Sequence, residues 1–142
     1  MDKEAVVSRY KKLLEELDTP ANEVILTAGA ALVVLELRKS VKSLDIDIPV
    51  NIFNWIGTKH EIIIKEGSVP RIKYSEDVTL RILEDTIGLS NNGGVWMYSL
   101  GELITQKRYL STMKDRDEDK RSNDQMEVWL LLSQRSLKMM TT

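Results

Sequence analysis

One short segment, Leu44–Ile48, places two carboxylates side by side and constrains the fold more than any other stretch of the chain. Its residues alternate between apolar and acidic. The strand period of two therefore puts Asp45 and Asp47 on one face and the three apolar side chains on the opposite, core-facing side. Two like charges on one strand face are unfavourable unless they are solvated, paired or bound to a cation. The segment is therefore predicted to be a half-buried strand that marks a site.

The residues just upstream of this strand predict a short entry strand and a buried helix. Residues 23–27 have the composition of a short strand or an extended segment, and residues 28–39 are an almost wholly apolar run. A helix over residues 28–39 would be buried on most sides, with Arg38 and Lys39 near its C-terminal end, where cations are favourable. Gly29 supplies a small residue at the turn into this helix.

The remaining segments show alternating signals for helices, strands and turns. Apolar side chains at three- and four-residue spacing predict an amphipathic helix over residues 3–17, which Pro20 ends. Ser99 and Glu102 have the spacing of a capping box, which opens a further helix. The other predicted elements are a helix capped by Asn51 and closed by Gly57, strands over residues 61–65, 71–74, 78–83 and 95–98, a loop over residues 89–94, and a final helix capped by Asn123 and Asp124.

This order of elements predicts an α+β, or mixed α/β, fold in which a small sheet is flanked by helices and two helices end the chain. The length of 142 residues predicts a single domain over residues 1–142, which is long enough to bury a core without disulfides or metal ions to stabilise it. The absence of cysteine excludes disulfides and thiolate catalysis. The single histidine, His60, excludes a multi-histidine metal site.

Charge and hydropathy indicate a soluble protein. The formal net charge is −2, so no overall excess of positive charge indicates binding to nucleic acid or to membranes. The N-terminal segment lacks the apolar core of a signal peptide, and the longest apolar run, near residues 28–35, is too short to span a membrane. A cytoplasmic location without a membrane partner is therefore expected.

The small-residue turn, the helix and the Asp-x-Asp strand resemble the first motif of the nucleotidyltransferases of the DNA polymerase β-like superfamily. The arrangement is most similar to the branch that contains the abortive-infection toxins and their uncharacterised relatives. Residues 28–32 stand where that branch has Gly-Gly-x-Ala-Leu, with Gly29 in place of the glycine pair. Ser43, Asp45 and Asp47 stand where it has Ser/Thr-x-Asp-x-Asp.

The C-terminal half extends this resemblance. Residues 95–107 follow the branch's pattern of a short strand, a serine, an acidic residue and then a lysine within a helix, which places Lys107 at the lysine position. Asp124 and Glu127 take the two acidic positions of a later helix. The resemblance covers roughly residues 24–132, with a poorly matched middle.

The resemblance implies a Mg²⁺-dependent nucleotidyltransferase, which moves a nucleoside monophosphate from an NTP to a tRNA-like RNA or to a protein acceptor. The same branch implies a toxin or defence role, with a neutralising partner protein. Asp45 and Asp47 would be catalytic residues and Mg²⁺ ligands, because Mg²⁺ prefers carboxylate oxygens and clamps the reacting oxygens of the phosphate.

The resemblance also assigns roles in nucleotide binding. Gly29 would let the N-terminus of its helix approach the triphosphate, and Ser43 would donate a hydrogen bond to a phosphate. Lys107 would be a catalytic residue that neutralises the triphosphate. Asp124 and Glu127 would orient Lys107 or the acceptor.

Two departures from the branch favour a different function. The branch has an arginine four residues before its first aspartate; this chain has Val41 there, and Arg38 and Lys42 are out of register. The strand predicted over residues 78–83 carries Arg81 where the family has a third carboxylate, and a cation there would repel Mg²⁺ and could occupy its position. Other candidates for the third carboxylate are Asp77, Glu84 and Glu61. The alternative is a catalytically inactive member of the fold, acting as a binding or regulatory subunit.

Each candidate residue also has a purely structural interpretation. Asp45 and Asp47 could be solvated residues of a half-exposed strand, and Gly29 could serve helix packing. Lys107 could lie on a solvated helix face, and Asp124 could cap a helix. A fold unrelated to the nucleotidyltransferases is the remaining alternative.

Overall fold

A computed structural model describes residues 1–66, 68–84, 88–112 and 117–141, with the side chains of the last helix described through Ser133. Within these residues the chain has an α+β fold with one seven-stranded mixed sheet and two C-terminal helices, which confirms the predicted class. The chain divides into two compact units, Met1–Tyr98 and Ser99–Thr142, which we call the sheet unit and the helical hairpin. The single domain over residues 1–142 stays a prediction.

The helices and strands follow in chain order. The sheet unit contains α1 (Lys3–Leu17), a short 3-10 turn (Ala21–Glu23), β1 (Ile25–Thr27), α2 (Ala28–Val34), β2 (Leu44–Ile48), α3 (Val50–Gly57), β3 (Ile62–Ile63), β4 (Arg71–Ser75), β5 (Val78–Ile82), β6 (Leu89–Asn92) and β7 (Val95–Tyr98). The helical hairpin contains α4 (Leu100–Thr112) and α5 (Glu118–Thr141). No helix in the described ranges is long and apolar enough to cross a membrane.

Strand β2 lies at the centre of the sheet, whose strand order is β3-β4-β5-β2-β1-β7-β6. It pairs in antiparallel fashion with β1 and in parallel with β5. Leu44, Ile46 and Ile48 are fully buried, so the apolar face of β2 contributes to the core. Asp45 and Asp47 therefore lie on the opposite face of the sheet, as the alternation predicts.

Helix α1 is anchored to the sheet by its apolar stripe and by one tyrosine. Asp2 caps the helix by accepting a hydrogen bond from the Ala5 N–H at 2.9 Å. The buried Tyr10 hydroxyl donates to the Val24 carbonyl at 2.7 Å and accepts from the Trp96 N–H at 3.2 Å. Burial raises the pKa of Tyr10 to about 12. The predicted amphipathic helix is confirmed.

The helix predicted over residues 28–39 is shorter than expected. It ends at Val34, and Glu36 adopts a left-handed conformation with φ of 61°. A non-glycine residue in that region interrupts a helix, so the remaining residues turn instead of continuing it. Apolar composition alone did not reveal this stop.

The prediction of a loop over residues 89–94 is wrong, because Leu89–Asn92 forms the edge strand β6. Gly93 and Gly94 have φ of 62° and 90° and join β6 to β7 as a two-residue hairpin. Two successive glycines with positive φ are typical of such turns. The polar composition of the segment concealed an edge strand.

Two predicted helix caps are also wrong. Helix α3 begins at Val50, directly after Pro49, so Asn51 lies inside it. Helix α5 begins at Glu118, where the Asp117 carboxylate accepts from the Asp119 N–H at 2.8 Å. Asn123 and Asp124 therefore lie within α5 and cap nothing. By contrast, Ser99 Oγ accepts from the Glu102 N–H at 3.4 Å at the start of α4, as predicted.

The other predicted strands differ only in length. Residues 61–65 contribute the two-residue strand β3, and residues 23–27 contribute β1. The segments 71–74 and 78–83 are strands β4 and β5, with ends that differ by one residue. Such differences at element ends are expected from sequence patterns alone.

Candidate functional site

The register of the central strands brings polar side chains to one face of the sheet. Asp47 lies opposite Arg81 on β5, and Asp45 lies between Thr27 on β1 and Thr79 on β5. Residues paired across neighbouring strands point to the same side of a sheet. On the neighbouring strands the two aspartates thus face Arg81 and the hydroxyls of Thr27 and Thr79.

Asp47 is buried, with 7% of its surface exposed, and both of its carboxylate oxygens have partners. Oδ1 accepts a hydrogen bond from Arg81 Nε at 3.1 Å. Oδ2 accepts from the Tyr98 hydroxyl at 2.6 Å. Hydrogen bonds to an ionised group are the strong ones, and a buried carboxylate requires them. This trio, Asp47 with Arg81 and Tyr98, is the best-defined polar cluster of the sheet unit.

Asp45 is the more accessible of the two carboxylates. It is half-buried and precedes Asp47 by two residues on the same strand face. The structure therefore brings together the two predicted Mg²⁺ ligands as neighbours on one surface. Their role as catalytic residues stays a prediction.

A third carboxylate does not join this pair in the described ranges. Asp77 is engaged elsewhere, since it accepts from Arg9 Nε at 2.9 Å and from the Ser75 hydroxyl at 2.6 Å. Glu61 and Glu84 are exposed. Among the described residues, no group of three or more histidine, aspartate or glutamate side chains is arranged to hold a metal ion. Arg81 stands in register with Asp47, at the position where the predicted motif has its third carboxylate.

Gly29 does not present an open surface to a ligand. A Cβ atom on Gly29 would lie 2.6 Å from Nη1 of Arg38 and 3.1 Å from Cγ2 of Val41. The missing side chain thus makes room for the guanidinium group, so packing accounts for the glycine. Ser43 is half-buried and directly precedes β2. The predicted contacts of Gly29 and Ser43 with phosphate stay predictions.

The helical hairpin assembles the other predicted residues. Lys107 Nζ on α4 lies 3.1 Å from Asp124 Oδ1 and 3.1 Å from Glu127 Oε2 on α5. Asp124 is 3% exposed, and the side chain of Lys107 is 16% exposed. Lys107 is therefore not on a solvated helix face. The lysine and the two acidic residues form one partly buried cluster within this unit.

Sequence reasoning missed one member of the sheet cluster, Tyr98. It ends an apolar strand, and nothing in its neighbourhood along the chain indicates contact with Asp47. The parallel pairing of β1 with β7, with Leu26 opposite Met97, brings the end of β7 close to β2. Only strand order supplies this contact, because the two residues are separated by 51 positions.

Comparisons with protein-family models, with curated proteins and with solved structures give no match for this chain. Its relationship to the nucleotidyltransferases therefore stays a prediction from the motifs. The geometry around Asp47 is the observation from which a function can be inferred.

Proposed function

We propose that the chain is a catalytically inactive protein of the nucleotidyltransferase fold and acts as a binding or regulatory subunit. One observation carries this proposal: Arg81 and Tyr98 occupy both carboxylate oxygens of Asp47, at 3.1 and 2.6 Å. The Asp-x-Asp motif is present, but one of its two carboxylates already has a cation and a hydroxyl as partners.

The residues around Asp47 do not fit a two-metal site. Mg²⁺ requires near-octahedral oxygen ligands, and two-metal nucleotidyl transfer needs carboxylates that can reach both ions. Here the guanidinium of Arg81 lies where an ion would bind to Asp47, and like charges repel. Binding of Mg²⁺ would first require the ion pair to break, which leaves the partly buried Arg81 guanidinium without its carboxylate.

The polar cluster instead favours a rigid surface over a reactive one. Asp47, Arg81 and Tyr98 join three strands, β2, β5 and β7, which are distant in the chain. A satisfied buried network of this kind fixes strand positions. A sheet face held in this way is suited to recognition of a partner rather than to turnover of an NTP.

Calorimetric titration tests this proposal directly. ATP with Mg²⁺ is titrated into the wild-type chain, into the double variant Asp45→Ala/Asp47→Ala, and into a control, Glu4→Ala/Glu15→Ala, which loses two exposed carboxylates of α1. We expect that none of the three proteins shows Mg²⁺-dependent binding of ATP. If the wild type and the control bind ATP with Mg²⁺ and the double variant does not, the proposal is contradicted and an enzyme is supported.

The cluster in the helical hairpin favours a second candidate, the Mg²⁺-dependent transfer of a nucleoside monophosphate to an RNA or protein acceptor. Lys107 contacts both acidic residues that the motif resemblance assigns to it. The test is incubation of the chain with radiolabelled NTP, Mg²⁺ and either bulk tRNA or a protein extract. Labelled acceptor that disappears with Lys107→Ala and with Asp45→Ala would favour this candidate; absence of label in the wild type would rule against it.

A further inference from the structure

A row of cations lies beside Asp47 on the same face of the sheet. Arg71 and Lys73 belong to β4 and Arg81 belongs to β5. Arg71 is directly opposite Arg81 in the antiparallel pair, and Lys73 is opposite Thr79. We call Arg71, Lys73 and Arg81 the cationic patch.

Burial of the intervening residues establishes which face carries the patch. Ile72 and Leu80 are paired with each other and are fully buried, so they point into the core. Alternation along each strand then places the residues on either side of them on the opposite face. The hydrogen bond from Arg81 to Asp47 confirms that this is the face of the two aspartates.

Two like charges directly opposite each other on neighbouring strands destabilise a sheet, because their Cβ atoms are about 4.5–5.5 Å apart. The Asp47 carboxylate offsets the charge of Arg81, but it accepts a hydrogen bond only from the Nε atom of Arg81. No other described side chain bonds to this guanidinium. No side-chain hydrogen bond or ion pair joins Arg71 or Lys73 to a described residue. The half-buried Arg71 therefore faces a second guanidinium, and no anion in the described part of the chain is paired with Arg71.

We propose that the cationic patch binds the phosphate groups of a small ligand, a nucleotide or inorganic pyrophosphate. A guanidinium donates two parallel N–H groups to phosphate, and a lysine adds a compact charge. The Nη groups of Arg81 remain outside its bond to Asp47, so they can join those of Arg71 around one anion. A phosphate there would replace the repulsion between the two arginines by attraction.

The size of the patch favours a small ligand over a polynucleotide. Three cations on two strands extend over about 7 Å along β4, which matches one or two phosphates. A nucleic-acid track needs many phosphate contacts, whereas the whole chain has a net charge of −2. The site needs neither Mg²⁺ nor Asp45, so it stands or falls independently of the function proposed above.

The first test is calorimetry with inorganic pyrophosphate in buffer without Mg²⁺. The wild type should bind, and Arg71→Gln should weaken binding by about tenfold or more, the effect of losing a charge-assisted bidentate contact. Lys12→Gln, which removes one charge from an exposed site on α1, is the matched control and should bind like the wild type. Absence of binding by the wild type, or equal weakening in both variants, would overturn the proposal.

Two further variants separate a phosphate site from general attraction and from misfolding. Arg71→Lys keeps the charge but loses the planar fork, so it should bind more weakly than the wild type. Asp47→Asn frees the Arg81 guanidinium from its carboxylate and should bind pyrophosphate at least as tightly as the wild type. Weaker binding by Asp47→Asn in a variant that melts cooperatively would contradict the assignment of Arg81 to the site.

Thermal unfolding supplies an independent readout. At the same concentration, pyrophosphate should raise the Tm of the wild type more than that of Arg71→Gln, because a ligand stabilises the folded state in proportion to how tightly it binds. Titration with a single-stranded RNA oligonucleotide forms the last arm. Tighter binding of RNA than of pyrophosphate, lost in Arg71→Gln, would replace the small ligand by a polynucleotide and overturn the proposal.

Discussion

The sheet unit and the helical hairpin each contain a buried aspartate paired with a cation at 3.1 Å, but they assemble the pair by different means. In the hairpin, Asp124 and Glu127 are three residues apart on one helix, so both side chains face the same neighbour. In the sheet unit, Asp47, Arg81 and Tyr98 come from three strands. Helical spacing builds the first cluster, and strand order builds the second.

This difference shows what a sequence motif can and cannot specify. Lys107 and its two acidic partners are recognisable in the sequence, and the hairpin brings them together. Asp45 and Asp47 are equally recognisable, yet the partners of Asp47 alter what that carboxylate can do. The chemical role of a motif on a strand therefore depends on neighbouring residues that are not part of the motif.

The largest effect is expected from Lys107→Met. The substitution removes the ammonium group that lies 3.1 Å from both Asp124 and Glu127, and Asp124 is almost fully buried. Loss of one partner of a buried ion pair costs about 3–5 kcal/mol of the free energy of unfolding. Urea unfolding measures the change, with Lys120→Met on the exposed side of α5 as the control. Equal stability of the two variants would show that the cluster is effectively solvated.

A smaller loss is expected from Arg81→Met, because the Arg81 side chain is 32% exposed and water screens part of the charge. We expect about 2–3 kcal/mol in urea unfolding, since Asp47 keeps the Tyr98 hydroxyl. Arg71→Met is the matched control: it lies opposite Arg81 on the same face but has no carboxylate partner among the described residues. If both variants lose the same stability, the ion pair with Asp47 contributes nothing.

Tyr98→Phe removes the hydroxyl that donates a hydrogen bond to the Asp47 carboxylate and keeps the ring. Loss of a hydrogen bond to a charged group costs about 1.5–3 kcal/mol of the free energy of unfolding. The control is Tyr74→Phe, whose hydroxyl donates to Glu16 at 2.8 Å on an exposed surface and should cost less. Denaturant midpoints compare the two, and a larger loss for Tyr74→Phe would contradict the burial argument.

Backbone strain also distinguishes the sheet unit. Ala28, the first residue of α2, has φ of 55°, a left-handed conformation that costs an alanine about 1 kcal/mol. The motif resemblance, which stays a prediction, places Ala28 at the first glycine of the pair. Ala28→Gly should therefore stabilise the chain by up to about 1 kcal/mol, whereas Ala30→Gly in the same helix should destabilise it. In thermal unfolding, Ala28→Gly should raise the Tm and Ala30→Gly should lower it. A lower Tm for Ala28→Gly would show that the backbone at Ala28 is not strained.

The smallest effect concerns the partly buried pair of Arg9 and Asp77, in which the aspartate is more exposed than Asp47 or Asp124. The Ser75 hydroxyl, and then Arg9, lower the pKa of Asp77 from its ordinary value of 3.8. The folded-state pKa lies below the unfolded one, so the pair stabilises the fold above pH 3.8. That contribution is lost as the pH falls through the lower folded value. Asp77→Asn should remove this part of the acid sensitivity. Identical acid midpoints for variant and wild type would contradict it.

Most of the fold follows from local patterns. The spacing of apolar residues predicts α1, the alternation in Leu44–Ile48 predicts β2, and Ser99 marks the start of α4. The errors are also local in origin. Three of the four residues of the edge strand β6 are polar, a composition that predicts a loop, and the left-handed Glu36 ends α2 early. Both depend on backbone angles, which composition does not report.

The candidate site could be predicted only in part, because its members are related in different ways. The alternation in residues 44–48 is enough to place two carboxylates on one strand face, since side-chain direction along a strand depends only on position parity. The sequence also identified Arg81 as a cation where the motif resemblance predicts a carboxylate. The pairing of β5 with β2, with Arg81 opposite Asp47, and the contact of Tyr98 with the other oxygen became known only from the three-dimensional structure. Strand order and register are set by the packing of the whole core, so no local pattern contains them.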